Sequence, residues 1–552
     1  MRSTVRAATA SAAAGQARAA KAPRALPLLG HAVSLQRDPL SLLLELARHG
    51  DLVEVRLGPK RAHLVCHPDL VREVLTDTRR FDKGGWLYDK LSLLVGNGLV
   101  TSARDEHRRQ RRLMQPAFHP ARIDQYGRRM AQEADTAAAA RRPGTPIDIA
   151  DAMHRITTQI TTRTLFATEI SSEALTALKE ALPVYLRGVY QRTMSPISLP
   201  DLPLPGNVRF VQACRQLHHI IDSVIAAHHA APPGTDSLLA ALLACRDPDS
   251  GDALTEQEIH EQAMAMLLAS TEEVAAALTW TFHLLSAHPP QKEQVDQILA
   301  GRPLTLEDLP RLEVTRRVVT EALRIRPPVW LFARVTTCDT RLAHVDLPVG
   351  TTLLISPYVL YHDPQLFPEP EQFAPDRWLP TSPLHTAQAA QRCAMLPFGA
   401  GNRKCIGDTY AMTWALLVLA AITTRWHLQP HGKPSLRAPQ GHPRGRATDH
   451  DAAARHPEGL GWSPHPPRPR HRGACPWWAT PCPCCGNPWL SWIACTGTGP
   501  WSRCTSNLCP FTSSPTRTPT ARAASSTRSS PSSATACSPR TGRWSRSSGT
   551  AR

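Results

Sequence analysis

The sequence predicts a mainly α-helical domain that also contains small β-sheets. Apolar residues recur at helical spacing through long stretches such as "DPLSLLLELARHG" and "EQAMAMLLASTEEVAAALTWTFHLLSAHP". Short extended runs, "DLVEVRLG", "RAHLVCHP" and "GTTLLISPYVLY", have the composition of strands. These runs predict a small sheet near the start of the domain and further strands after residue 335.

Composition divides the chain into three zones. Residues 1–22 are rich in Ala and Arg and lack acidic residues, which fits a transit-like leader or, as we favour, a disordered extension. Residues 23–435 hold the periodic helical pattern. Residues 436–552 are dominated by Pro, Ser, Thr, Arg, Cys and Trp without periodicity, so we expect a tail that builds no ordinary core.

The basic charge of the chain is concentrated in that tail. The formal charge is +17, and from His431 onward 15 arginines and one lysine stand against three acidic residues. The rest of the chain is therefore close to neutral, as in an ordinary soluble protein, and does not require nucleic acid as a partner. No apolar run reaches 18 residues, so we expect a cytoplasmic protein without a membrane span.

The cysteines of the tail admit several interpretations. "ACPWWATPCPCCGNPWLSW", from Ala474, could belong to a zinc site or a disulfide module, but it lacks paired C-x-x-C spacing and a secretory signal. The basic tail could also bind nucleic acid. Read one base out of step, its codons admit L-P-L-V-G-H-A-L-P-L-L-R-x-P-L, close to the chain's own "LPLLGHAVSLQRDPL". We favour this frameshift, with the tail as the start of a second, similar domain.

The strongest chemical motif is "PFGAGNRKCIG", a glycine-rich loop that presents Cys405 and leads into an apolar helix. The glycines at 399, 401 and 407 allow close approach to a flat partner and positive φ angles. The nearby helix N-terminus and Arg403 favour a thiolate at Cys405. The alternative is a buried structural cysteine in a glycine-rich turn.

This motif resembles the haem-binding signature of the cytochrome P450 family, F-x-x-G-x-R-x-C-x-G. The resemblance implies the cytochrome P450 fold, haem b (iron protoporphyrin IX) as cofactor, and Cys405 as the axial thiolate ligand of its iron. Arg403 would contact a haem propionate and Gly407 would allow close packing of helix and haem. The loop residues assigned to cofactor binding are Phe398, Gly399, Arg403, Cys405 and Gly407.

Further segments agree with the family in order along the chain, from residue 23 to about residue 432. "EALR" and "FAPDRW" resemble the structural E-x-x-R element and its closing arginine, which implies a buried trio of Glu321, Arg324 and Arg377. "EHRRQRRLMQPAF" and "PPVWLFAR" imply that His107, Arg111 and Arg334 contact haem propionates. For the basic segment, a solvated helix face or a docking surface remains the alternative.

The oxygen-activating helix departs from the family pattern A-G-x-[D/E]-T-[T/S]. Here "LLASTEEVAAALTW" places Ser270 at the glycine, Glu272 at the acid and Glu273 at the threonine that usually helps to deliver protons. Thr271 falls on another helix face. Either Glu273 takes over proton delivery, together with Glu272 as a catalytic acid, or a substrate hydroxyl or water does so. Poor coupling of oxygen activation is the third possibility.

The resemblance also implies an apolar substrate pocket above the haem. "RLEVTRRVVTEALRIRPPVWLFARVTT" is most similar to actinobacterial members that oxidise sesquiterpenes, of the pentalenene oxygenase kind, although fatty acids or polyketides would also suit such a pocket. Each candidate lining residue could equally be core packing. The candidates are Trp86, Leu87, Leu267, Leu268, Ala269 and Trp330.

Electrons are expected from separate proteins, because no flavin or iron–sulfur domain follows the haem domain in the sequence. A ferredoxin and its reductase, supplied by NAD(P)H, would suit a basic surface on the cysteine side of the haem. The expected surface residues are Arg111, Arg112, Arg403 and Lys404. No closing β-hairpin is legible after "HLQPHGKPSL", so a haem-binding but inactive product remains the rival interpretation.

Overall fold

A computed structural model describes the parts of the chain that form the domain. The described residues are 17–140, 146–166, 172–194, 205–230, 237–247, 250–289, 293, 295, 304–382, 394–430 and 458–464. The tail cysteines and the proposed frameshifted repeat lie outside them.

Helices make up most of the described chain, as the sequence predicts. They are α1 (Ala32–Arg37), α2 (Pro39–Ala47), α3 (Pro68–Thr76), α4 (Trp86–Val95), α5 (Arg104–Met114), α6 (Pro120–Ala139), α7 (Ile149–Leu165), α8 (Ser172–Met194), α9 (Pro205–Ala230), α10 (Leu238–Ala244), α11 (Glu256–Ser286), α12 (Glu313–Ile325), α13 (Pro357–Tyr361) and α14 (Asp408–Arg425). Short 3₁₀ turns are formed by Gln115–Phe118, Leu306–Arg311, Pro375–Trp378 and Gly401–Arg403.

The strands form three small sheets. They are β1 (Ala19–Lys21), β2 (Leu52–Leu57), β3 (Lys60–Val65), β4 (Phe81–Asp82), β5 (Pro146–Asp148), β6 (Phe332–Thr336), β7 (Thr340–Leu342), β8 (Val345–Leu347), β9 (Thr352–Ile355), β10 (Trp426–Pro430) and β11 (Glu458–Pro464). One sheet has the order β1-β2-β3-β9-β6-β4, another β10-β11-β5, and β7 pairs with β8.

The predicted strands at the two ends of the domain meet in one sheet. The antiparallel pair β2–β3 continues through parallel pairing of β3 with β9, where Ala62 faces Thr352. The sequence predicts both groups of strands but not their union. This pairing fixes the segment after α12 against the start of the chain.

Two strands lie in segments where the sequence analysis expects none. Residues 19–21 form β1, which pairs in parallel with β2, so the expected leader is wrong for these three residues. Residues 458–464 form β11, which pairs with both β10 and β5. The expectation that no closing strand follows α14 is therefore wrong here. Its "EGLGWSP" is rich in glycine and proline, so it gives little strand signal.

Two long helices cross the core. α11 starts at a capping box, in which the Thr255 side chain accepts from the Glu258 backbone and the Glu258 carboxylate accepts from the Thr255 backbone. α14 is apolar on nearly all sides, and its Trp414 is completely buried. Both helices pack with α6, α7 and α12 in one hydrophobic cluster. No described helix is long and apolar enough to cross a membrane.

Candidate active site

Two glycines shape the loop that presents Cys405. Gly399 and Gly401 have φ angles of +71° and +67°, as the sequence predicts. A Cβ on Gly401 would lie 2.0 Å from the carbonyl oxygen of Leu75, so only glycine fits there. The loop then closes on itself, because the Cys405 amide donates to the Phe398 carbonyl over 2.8 Å.

Gly407 differs from these two positions. Its φ is −99°, an ordinary value, so the expectation of a positive φ is wrong at this residue. It precedes α14 as the N-cap, and a Cβ there would meet the Phe118 ring at 3.6 Å, an ordinary contact. Glycine at this position therefore leaves an open surface beside Cys405 and is not required by the backbone conformation.

The Cys405 side chain is solvent-accessible although protein atoms surround it closely. A thiol that faces an interior cleft is both accessible to solvent and closely surrounded by protein atoms. Burial raises the pKa of Cys405, while the Gly407 amide and Arg111 lower it. The expectation that the surroundings of Cys405 favour the thiolate is therefore wrong for the protein by itself: the helix terminus acts in the expected direction, but desolvation outweighs it. A metal cation would reverse this balance.

Glu321 is the centre of a buried cluster behind this loop. Its carboxylate accepts two hydrogen bonds from Arg324, at 2.8 and 3.0 Å, and one from Arg377 at 2.9 Å. The Trp378 indole and the Ala374 amide donate to it as well. Neither Glu321 nor Arg324 is exposed at all. The structure thus brings the predicted trio together.

Arg324 connects this cluster to the cysteine loop. It donates to the backbone carbonyls of Tyr361, Pro370 and Gln372 over 2.7–3.1 Å. The Tyr361 hydroxyl in turn accepts from the Leu396 amide at 2.8 Å, just before the loop begins. A continuous set of hydrogen bonds therefore runs from α12 to the segment that carries Cys405.

Arg403 is tied to protein groups. Its guanidinium donates to both carboxylate oxygens of Asp82 at 2.9 Å and to the Ser102 carbonyl at 2.9 Å. Asp82 stands in "FDKGG" without a recognisable motif, so its role is not predictable from the sequence. Arg111 donates to the Lys404 carbonyl at 2.5 Å and so braces the cysteine loop from α5.

A group of basic residues lies beside this pair. Burial, then the charges of Arg334 and Arg403, lowers the pKa of Lys83 to about 7. Burial, then Arg403 and Lys83, lowers the pKa of His107 to about 3. Arg334 is only 4 % exposed and donates to the Ala333 carbonyl. Lys83 was missed by the sequence analysis, since a single lysine in a loop carries no pattern.

Lys83, His107, Arg334 and Arg403 form a cationic cluster that fits an anionic ligand, in which His107, because of its lowered pKa, contributes a neutral N–H donor rather than a charge. The Asp82 carboxylate pairs with Arg403, and the Lys83 ammonium donates to the Val100 carbonyl at 2.9 Å. A buried cation without a counter-charge costs several kcal/mol. Lys83 also lies close enough to Cys405 for the two charges to interact. An accessible thiol beside such a cluster is the donor set that haem requires, with one ligand for iron and cations for its carboxylates.

Two carboxyl groups of α11 face the same region. Burial raises the pKa of Glu273 to about 7, and burial together with Glu273 raises that of Glu272 well above its usual range. Three of their four carboxyl oxygens are buried without a hydrogen-bond partner in the described part of the chain. Glu273 lies near enough to Cys405 to raise the pKa of that thiol. The two acids are therefore poised to hold protons.

Thr271 points away from these carboxyls, as expected. It is completely buried, and its hydroxyl donates to the Leu267 carbonyl one turn earlier, at 2.7 Å. Ser270 likewise donates to the Met266 carbonyl at 2.6 Å. Neither hydroxyl is directed to the reaction side, so Glu272 and Glu273 are the polar groups that this turn offers.

The predicted pocket residues divide into two classes. Leu267 is completely buried and Trp330 is 6 % exposed, and both belong to hydrophobic clusters, so their assignment to the pocket wall is wrong. Leu268 is 9 % exposed and also packs in the core. Ala269, also a predicted pocket residue, is exposed, as is Val329 beside Trp330. Helix register alone does not tell which side chain turns inward.

Trp86 and Leu87 at the start of α4 are partly buried against the cluster formed by α2, β2 and β3. The indole nitrogen of Trp86 is buried without a partner among the described residues. Tyr185, in a segment expected to line the pocket, is completely buried and stacks on Phe210 with ring centres 5.6 Å apart. These side chains pack α4, α8 and α9 around the interior.

A basic cleft of about 940 Å³ lies on the α5 side of the cysteine loop. Of the four expected surface cations, Arg403 lines this cleft but is only 9 % exposed and is paired with Asp82. Arg112 pairs with Asp247, and Lys404 with Asp408 at 2.5 Å. The basic residues that line the cleft are Arg104, His107, Arg108, Arg111, Arg112, His119, Arg122 and Arg403, and Asp82 with other polar and apolar residues completes the lining.

Comparison with known proteins agrees with this arrangement. The cytochrome P450 family profile matches residues 21–443. Cyclooctatin synthase from Streptomyces melanosporofaciens is 45% identical over 415 residues, which cover 74% of this chain and 90% of the relative. Cyclooctat-9-en-7-ol 5-monooxygenase from the same organism is 44% identical over 414 residues, 74% of this chain and 89% of the relative. Pentalenene oxygenase from Streptomyces avermitilis is 42% identical over 414 residues, 74% of this chain and 91% of the relative.

Proposed function

This chain belongs to the cytochrome P450 family and is a haem-dependent monooxygenase, and we propose that it inserts one oxygen atom of O₂ into a terpene-like hydrophobic molecule. The observation that carries the site assignment is the accessible Cys405 thiol beside the buried cationic cluster. Haem supplies the iron that activates oxygen, and thiolate donation favours cleavage of the O–O bond.

Cys405 is the residue that would bind the haem iron, and Lys83, His107 and Arg334 are the proposed partners of the haem carboxylates. Arg403 is proposed to act with Asp82, since their bidentate pair orients the cluster and leaves the neighbouring cations for the ligand. Arg111 is proposed to brace the loop through the Lys404 carbonyl. The Glu321 cluster keeps the loop in place through Arg324 and Tyr361.

Glu273 and Glu272 are the proposed proton donors for oxygen activation. A pKa of about 7 lets Glu273 hold and release a proton near neutral pH, as a general acid requires. The adjacent Glu272 carries a second exchangeable proton. This pair would replace the hydroxyl that the family pattern places on this turn.

The proposed substrate class follows from the relatives and from the accessible wall residues. The relatives are named for pentalenene, a hydrocarbon, and for cyclooctat-9-en-7-ol, an alcohol. Ala269 and Val329 are exposed apolar side chains flanked by core residues, which suits a substrate without charge. Fatty acids and polyketides are the competing substrate classes.

The proposed electron donor is a separate acidic protein such as a ferredoxin. The cleft beside the cysteine loop is lined by several arginines of α5, including the exposed Arg108. Positive residues around such a cleft would steer an acidic partner and speed its association.

A reduced carbon monoxide difference spectrum tests the site. The unchanged chain should give the thiolate–haem band, and Cys405→Ala should lose it. Cys338→Ala changes another exposed cysteine, between β6 and β7, and should keep the band. A band that persists in C405A would refute the ligand assignment.

Binding titrations test the substrate class. Pentalenene and a fatty acid of similar carbon number are each added to the ferric protein while the Soret band is followed. A saturable shift with the terpene alone supports the proposal. A shift with the fatty acid alone would contradict it. The rival interpretation, an inactive haem-binding product, predicts a normal carbon monoxide band without oxygenated product.

A further inference from the structure

His154 of α7 lies against the carboxyl group of Glu272. Its Nε2 atom is 3.8 Å from Glu272 Oε2. Both carboxyl oxygens of Glu272 are buried without a hydrogen-bond partner among the described residues. Buried carboxyl groups normally have such partners, since leaving one unsatisfied costs about 1–3 kcal/mol. His154 lies where it could exchange a proton with this unsatisfied carboxyl group.

Polar contacts fix α7 against the turn of α11 that carries the two acids. The Thr157 hydroxyl donates to the Thr271 carbonyl over 3.3 Å, and the Thr161 hydroxyl to Ser270 Oγ over 3.2 Å. These contacts lie one and two turns beyond His154. The distance between the imidazole and the carboxyl is therefore set by two packed helices rather than by a flexible loop.

The other side of His154 leads toward the protein surface. Its side chain is 22 % exposed, whereas that of Asp151, one turn earlier, is 56 % exposed. Asp148 caps α7 by accepting from the Ala150 and Asp151 amides. His154 thus lies between exposed carboxylates at the helix start and the buried acid on α11.

We propose that His154 is a positioning residue that passes protons from solvent to Glu272 during oxygen activation, an inference that rests on the role proposed for Glu272. Monooxygenation releases the second oxygen atom of O₂ as water, so protons must reach the buried site. His154 pairs with Glu272 on the inner side, and the charges of Asp151 and Asp148 at the exposed start of α7 act on its imidazole from the other side.

Proton transfer uses both nitrogen atoms of the His154 ring. When Glu272 gives its proton inward, its carboxylate lies beside His154 and favours the imidazolium form. This form arises when the neutral imidazole, with a proton on Nε2, accepts a second proton at Nδ1 from hydronium, which leaves as water. The Nε2–H bond then breaks, the Glu272 Oε2–H bond forms, and the imidazole is neutral again. The transfer requires Nε2 and Oε2, which are 3.8 Å apart, to approach within hydrogen-bond distance.

The surrounding charges suit this exchange. Burial lowers the pKa of His154, while Asp151 and then Asp148 raise it. Arg155, the next residue, pairs with Asp151 at 2.8 Å. On α11, Glu272 faces the imidazole and Glu273 follows it. Between turnovers, the neutral imidazole beside the protonated carboxyl leaves no unpaired buried charge.

The test compares His154→Gln with Arg155→Gln in the complete haem-loaded enzyme. R155Q is the matched control, because it changes an exposed neighbour on the same helix turn. We expect H154Q to lower product formed per NAD(P)H severalfold, to release more peroxide and to enlarge the solvent deuterium isotope effect. R155Q should leave all three unchanged. Equal coupling and equal isotope effects in H154Q and the parent would overturn the proposal.

A second readout follows the carboxyl group itself. The infrared C=O stretch of the protonated Glu272 is identified by its loss in Glu272→Gln, and its deuterium exchange is timed. H154Q should slow this exchange severalfold; an unchanged rate would overturn the relay. If H154Q loses the carbon monoxide band through misfolding, His154→Asn gives the same test with a smaller side chain. If E272Q keeps normal coupling, the proposed role of Glu272 is refuted. If coupling is impaired in E272Q but not in H154Q, only the relay through His154 is refuted.

Discussion

Two buried glutamates on two core helices have opposite hydrogen-bonding environments in this fold. Glu321 on α12 accepts hydrogen bonds from Arg324, Arg377, Trp378 and the Ala374 amide, and is completely buried. Glu272 on α11 is also enclosed, but both of its oxygens lack a hydrogen-bond partner in the described chain. The first carboxylate is fully satisfied and the second is left ready to exchange a proton.

The difference separates a carboxylate with a structural role from a carboxyl group that can exchange protons. A satisfied, charged carboxylate holds the segments around it in one arrangement, here those leading to Cys405. An unsatisfied carboxyl has a raised pKa and can donate, at a cost in stability. Changing Glu321 should therefore lower stability around the segments that lead to Cys405. Changing Glu272 should instead affect proton transfer.

The largest effect is expected for Glu321→Gln. The change leaves the buried cation of Arg324 without its counter-charge, which should lower the free energy of unfolding by about 3–5 kcal/mol. Chemical denaturation monitored by the Soret band measures this loss. Glu313→Gln on the same helix is the control, since Glu313 is 59 % exposed and should cost less than about 0.5 kcal/mol. Equal effects of the two variants would contradict the structural role of Glu321.

The cysteine loop offers a matched glycine pair. Gly399→Ala should cost about 1–2 kcal/mol, because its positive φ is strained for alanine while nothing lies within 4 Å of the new Cβ. Gly401→Ala should cost clearly more, since its Cβ would meet the Leu75 carbonyl at 2.0 Å. Haem retention during thermal unfolding compares them. If G399A proved the more damaging, the loop geometry described here would be wrong.

The third effect concerns pH. Burial raises the pKa of Glu273 from 4.5 to about 7, so between these values the folded chain keeps a proton that the unfolded chain has lost. Stability should therefore fall as pH rises through this window and level off above it. Glu273→Gln should remove this decline, on the order of 3 kcal/mol. Unfolding curves across the window measure it, and a parallel pH dependence in both proteins would refute the raised pKa.

The smallest effect on stability is expected for Arg108→Gln in the basic cleft. Arg108 is exposed, so unfolding should change by less than about 0.5 kcal/mol. The rate of reduction by an acidic ferredoxin should fall, with a weaker dependence on salt. Arg61→Gln, at the exposed start of β3, is the control and should leave the rate unchanged. A rate equally slowed by both would mean that the cleft is not the docking site.

Local motifs made much of the site predictable. The loop around Cys405 and the E-x-x-R pair are short patterns whose geometry is set within a few residues, by glycine conformation and by helix spacing. The structure brings Glu321, Arg324 and Arg377 together as the sequence predicts. The helical class and the strands β2, β3 and β9 follow from periodicity in the same way.

Other members of the site could not be found in this way. Lys83 and Asp82 join the cationic cluster because β4 ends beside the cysteine loop, which is a matter of packing and not of motif. Of the predicted pocket residues, Leu267 and Trp330 are in the core while Ala269 is accessible, and one position along a helix or loop decides between the two outcomes. β11 escaped notice because glycine and proline weaken its strand pattern.

By itself, the sequence determined the family, the cysteine that the motif presents and the replacement of the usual threonine by Glu273, since these depend on residue identity at fixed spacing. The tertiary structure alone decided which charges face one another: Arg403 with Asp82, Lys83 near Cys405, and His154 with Glu272. The physical reason is distance along the chain. Electrostatic and hydrogen-bond partners more than a hundred residues apart leave no local pattern, and only packing brings them within a few ångströms.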